Sequence, residues 1–172
     1  HAGAMLAWMS LLGTQAYLAA NGARMSLHRR MGNASIGLVG ATLVSGAIIS
    51  VNIGREFGRP EVTVVNIAAF VTFIPLYFAA LYFARGHRMH EHRMAMLIAT
   101  LAFMTPVYAR VTDVLGLPPQ VSIGLQPPLT IAIALGYEWT ALGHFTRSSA
   151  EMLALSIAVV AEMVGLLLVW FV

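Results

Sequence analysis

Apolar residues run along this chain in stretches of bilayer length, separated by short polar segments rich in Arg, Gly and Pro. Residues 2–23 carry no charge. The run from Ala2 to about Ala20 predicts a first membrane-spanning helix, which Asn21 and Gly22 end. After the polar segment Arg24-Met25-Ser26-Leu27-His28-Arg29-Arg30 a second span is expected over residues 32–53. Within it Gly37, Ala41 and Ser45 recur every four positions on one face. That spacing lets another helix backbone come close, although ordinary dense packing has the same signature. The segment from Gly54 to Glu61 holds two Arg and two Glu and reads as a loop.

A third uncharged span is expected over residues 62–84, kinked at Pro75. Arg85-Gly86-His87-Arg88-Met89-His90-Glu91-His92-Arg93 follows as a second basic segment. A fourth span over residues 94–114 contains Pro106. Leu115 to Pro128 reads as a Pro/Gly-rich connection. Because Pro127-Pro128 suits a first helical turn, a fifth span is expected over residues 128–145. Arg147 to Glu151 forms a tight turn in which Ser148 or Ser149 caps a sixth span over residues 151–172. The pattern predicts an all-α, polytopic transmembrane helix bundle: one domain of six spans.

Composition supports lipid as the surrounding solvent. The 172 residues are 59% hydrophobic and 10% charged, with a mean hydropathy of +0.78. Soluble domains carry about 25% charged residues. All ten basic residues are Arg, so a retinal Schiff base has no lysine to form on. With no Cys there is no iron–sulfur cluster, thiolate metal site or covalently attached haem. Seven Arg (24, 29, 30, 85, 88, 93 and 147) follow spans one, three and five, against three (55, 59 and 110) on the other side. That bias places the first set in the cytoplasm and the C-terminus outside. The Arg residues do not gather on one face, so they read as topology signals and not as a nucleic-acid footprint.

Three local patterns carry a resemblance. Trp8 and Gln15 lead into Leu27-His28-Arg29-Arg30-Met31-Gly32. His92-Arg93-Met94 leads into Leu97-Ile98-Ala99-Thr100, then Pro106 and Ala109-Arg110. Tyr137-Glu138 lies in the fifth span. Over residues 1–147 the chain resembles a group of uncharacterised bacterial multi-spanning membrane proteins, in which Tyr-Asp often stands where Tyr137-Glu138 stands here. More distantly it is similar to membrane proteins that assist assembly of haem–copper oxidases. The resemblance implies a bacterial inner membrane, in which the Arg bias puts the visible C-terminus in the periplasm. It also implies one further helix before His1, hence seven spans.

Polar groups inside lipid need a partner or a purpose. Glu162 stands out in the sixth span and Glu138 in the fifth, either as proton carriers or as carboxyls bonded to neighbouring helices. At the outer face His1, Arg110 and Asp113 form a candidate polar cluster, in which Arg110 and Asp113 at i,i+3 can neutralise each other. Gln15 and Asn66 are expected to bond between helices. His28, His87, His90 and His92 sit toward one membrane face and are candidate ligands for haem, a quinone headgroup or a metal. The competing reading is interfacial anchoring beside Arg. No His-Glu-x-x-His, Gly-x-Ser-x-Gly or phosphate-cradling Gly loop occurs.

The sequence therefore favours a non-enzymatic accessory or assembly subunit of a larger, bioenergetic membrane complex. Its partners would be the lipid bilayer and other membrane subunits. A redox or metal protein built on the cytoplasmic-face His, and a proton-coupled transporter using Glu162, are the alternatives.

Overall fold

A computed structural model describes residues 2–22, 24–56, 58 and 60–171, with the backbone alone at 2, 119, 170 and 171. His1 and Val172 thus lie outside the described residues. Those described form seven α-helices: α1 Ala2–Ala20, α2 Met25–Glu56, α3 Pro60–Arg85, α4 Met89–Ala102, α5 Thr105–Val114, α6 Pro119–Leu142 and α7 Arg147–Phe171. Three of them, α2, α3 and α7, are long and apolar enough to cross a bilayer, and α4 with α5 adds a fourth if that bent pair is one span. The fold is all-α with three to four candidate spans, where the sequence led us to expect six.

Helix boundaries differ from expectation for local reasons. α2 starts at Met25, because Ser26-Leu27-His28-Arg29-Arg30 contains no helix breaker and simply forms its first turns. α6 starts at Pro119 and not at Pro128. Pro118 is extended (φ −58°, ψ 145°) and Pro119 takes the first helical position, where a missing N–H costs nothing. The first-turn argument is thus already satisfied there, and Pro127 and Pro128 lie inside the helix. Pro75 also lies inside one unbroken helix, α3.

The expected fourth span is broken. α4 and α5 meet at a 45° bend. Phe103 and Met104 bond three residues back, to Thr100 O at 3.0 Å and Leu101 O at 3.1 Å. Pro106 supplies the cause: it has no N–H to offer the Ala102 carbonyl four residues back, and its ring crowds that carbonyl. Side chains take over. Gln126 Nε2 of α6 reaches Ala102 O at 3.5 Å, and Thr105 Oγ1 lies 3.1 Å from it. Thr105 Oγ1 lies closer to Gln126 Oε1, at 2.8 Å, so its single proton is shared between the two acceptors.

The chain divides into two compact units, His1–Val62 and Thr63–Val172. In the first, α1 packs on α2, and Gln15 Nε2 donates to His28 O at 3.0 Å, an interhelical bond of the kind the sequence suggested. Gly22 and Arg24 turn the chain in the left-handed region (φ 61° and 62°). The buried side of α2 is Ser35, Val39, Thr42, Gly46 and Ser50. Its hydroxyls donate to carbonyls one turn back: Ser35 to Gly32 O, Thr42 to Leu38 O and Ser50 to Gly46 O. No hydroxyl among those three is left unbonded in an apolar setting. Gly37 and Ala41 lie exposed on the other side and Ser45 is half-buried. The small-residue face is therefore not the buried one.

In the second unit α4 packs on α6 and α7, and α5 on α6. Fully buried Ala80, Ala95, Ala99 and Ala134 let helix backbones approach closely. Phe73 of α3 stacks on Phe103 at the α4–α5 break, with ring centres 3.9 Å apart. A cavity with room for about one water lies beside the break, lined by Thr72, Thr105, Gln126 and Ser156 among others.

Candidate functional site

Polar chemistry in the second unit gathers where α6 turns into α7. Gly143 ends α6 in the left-handed conformation (φ 71°), its N–H bonded to Trp139 O at 2.8 Å. Only a residue without a Cβ adopts this freely. Thr146 stands immediately before α7, and its Oγ1 accepts from Ser149 N at 3.3 Å. Thr146 is thus the N-cap, where the sequence reading placed Ser148 or Ser149.

Glu138, one turn before the end of α6, is fully buried. Its Oε1 accepts from Thr146 N at 3.0 Å, Thr146 Oγ1 at 2.6 Å and Ser149 Oγ at 2.6 Å. His90 of α4 brings Nε2 to 3.1 Å from the same oxygen. With both hydroxyl protons aimed at the carboxylate, the 2.9 Å between Thr146 Oγ1 and Ser149 Oγ carries no proton of its own. Negative charge at a helix N-terminus is also favoured by the orphan N–H groups there. Oε2 is buried and accepts no hydrogen bond among the described residues.

His90 donates through Nε2. The side chain keeps 21% exposure. The site is therefore a buried carboxylate fixed by three neighbours, with an imidazole between it and the surface. Chemically it can tie three elements together or carry a proton between surface and interior.

The other sequence candidates go elsewhere. His92 Nδ1 donates to Ala80 O at 2.9 Å and so ties α4 to α3. His87 sits exposed in a left-handed turn (φ 57°). Glu91 pairs with Arg88 at 2.8 Å, and the Arg88 guanidinium lies 4.6 Å over the Phe83 ring. His28 is half-buried in the first unit, where its carbonyl takes the bond from Gln15. Among the described residues no three His, Asp or Glu side chains come together as a metal site.

Arg110 and Asp113 are both exposed and do not form the expected pair. Exposed ion pairs of this kind gain little, because holding the long arginine side chain in one geometry costs entropy. His1, the third member of that cluster, lies outside the described residues. Glu162 is exposed on α7. Sequence reasoning missed Thr146, Ser149 as more than a cap, Thr105 and Gln126. The first two had a local signal: Gly143, then Thr146 and Ser149 three apart, is a helix stop followed by a cap and its N3 position.

Helices of this length and apolarity define a helical membrane protein class with three to four candidate spans. The chain matches no family model, no curated protein and no solved structure.

Proposed function

We propose that this chain is an accessory or assembly subunit of a larger membrane complex and works through its helix faces. The observation that carries this reading is how little of each candidate span the molecule covers. The apolar windows of α2, α3 and α7 are 28%, 39% and 22% buried. Lipid or neighbouring helices must cover the rest. The polar side chains support the same reading, because His90, His92, Gln126 and Thr146 are engaged in holding helices together.

In this reading α1 and α6 also cross the bilayer and α4–α5 is one bent span, giving six crossings. The bundle sits in a bacterial inner membrane with the basic segments cytoplasmic. The test is the native mass of protein extracted in mild detergent from its own membrane. Stoichiometric co-purification with a larger complex is the expected result. A solitary monomer would sink the proposal.

The unpartnered Oε2 of Glu138 favours a second reading, proton handling through His90. Proton-coupled uptake into proteoliposomes, lost in Glu138→Gln while the helices stay folded, would establish it.

A further inference from the structure

α7 is the most apolar candidate span, with a mean hydropathy of 2.5 against 1.9 for α2 and 2.1 for α3, and the least buried of the three. Its outward surface carries Leu155, Ala158, Glu162, Gly165, Leu166 and Val169. Steps of three and four put these on one stripe. At 1.5 Å per residue Glu162 lies about 22 Å from Arg147 and about 13 Å from Phe171. With Arg147 at one headgroup level, about 30 Å of hydrocarbon ends about 8 Å beyond Glu162, farther than a glutamate side chain carries its carboxyl. Among the described residues nothing donates to it or pairs with it.

Hydrocarbon offers no donor, so a carboxyl held there is costly in either protonation state. A second membrane helix with a donor at the same depth removes the penalty. The surface around Glu162 has the shape for one. Ala158 and Gly165 flank it one turn away on either side, and a Cβ added at Gly165 would meet nothing within 4 Å. Small residues at that spacing admit a close backbone.

We infer that the Glu162 stripe of α7 docks a membrane helix of another protein, and that this helix presents Arg, Lys or His opposite Glu162. The inference rests on the subunit reading above and names the chemistry of the partner. A second copy of this chain fits the face less well, because α7 against α7 sets carboxyl against carboxyl.

The test places a photo-crosslinking amino acid at Ala158 in the full chain, in its native membrane. The adduct is mapped to a peptide and the native mass is read in parallel. The expected adduct is a membrane-spanning peptide of another protein that carries a basic residue. Glu162→Gln should lower its yield about tenfold, the scale of one charge-assisted hydrogen bond. Gly165→Leu, whose Cβ meets nothing within 4 Å, should abolish the adduct without unfolding the protein. Glu162→Arg should be rescued when the partner's basic residue is changed to Glu. Adducts to lipid alone, to any peptide of this chain (its own first unit or a second copy) or to a peptide without a basic residue would overturn the inference, as would an unchanged yield in Glu162→Gln. Lipid adducts alongside a retained large complex reject the docking face and leave the subunit reading standing. A solitary monomer rejects both.

Discussion

One oxygen of Glu138 takes a backbone amide, two hydroxyls and an imidazole, while its twin takes none among the described residues. Removing the carboxyl strands buried donors, which costs more than the net value of the bonds themselves. Glu138→Ala is expected to cost about 2–4 kcal/mol, read as a lower Tm in detergent. Glu138→Gln keeps an oxygen at the same place and should cost about half as much. His90→Ala should cost about 1 kcal/mol, because the ring is partly exposed, and close to nothing in the Glu138→Ala background if the two act only through each other. The sequence flagged both carboxyls in apolar helices as anomalies. It could not separate them, because what distinguishes them is tertiary: Glu138 meets partners from 8 and 48 residues away, whereas Glu162 faces outward.

At the level of elements, a glycine ends one helix and a side chain replaces a backbone bond that proline forbids. Gly143 turns α6 off in a conformation that disfavours any Cβ, so Gly143→Ala should destabilise by about 1 kcal/mol and Gly143→Asn by less. At the α4–α5 break Gln126 serves the carbonyl that Pro106 leaves unbonded. Gln126→Leu should therefore cost about 1–3 kcal/mol. In a Pro106→Ala background, where a backbone N–H returns to Ala102 O, the penalty should shrink. Thermal unfolding of the four-member mutant cycle reads the difference. The helices themselves were legible from uncharged runs, and the start of α3 and the stop after α1 fell close to expectation. The start of α6 was not, because Pro118-Pro119 and Pro127-Pro128 carry the same local signal and packing chooses between them. The break in α4–α5 was half legible. Pro106 marks the place, but Pro75 lies inside an unbroken helix, so a proline in the sequence does not by itself say which helix breaks.

For the whole molecule, the bond between His90 and Glu138 fixes the start of α4 and the α6–α7 turn at one end of the second unit. Since the chain has no Cys, single-cysteine labelling can read sidedness without background. Cysteines placed at His87 and His144 should label from the same side of the membrane, and one placed at Asp113 from the opposite side. Labelling of positions 87 and 144 from different sides would exclude this arrangement. The Glu138 cluster also sets a mechanical polarity. If the chain were drawn out of the bilayer by its C-terminus, α7 would peel from Phe171 toward Arg147, and the tether at its base would give way last. Resistance should therefore peak as the final turn of α7 leaves, and that peak should fade in Glu138→Ala while the force along the rest of the helix stays the same.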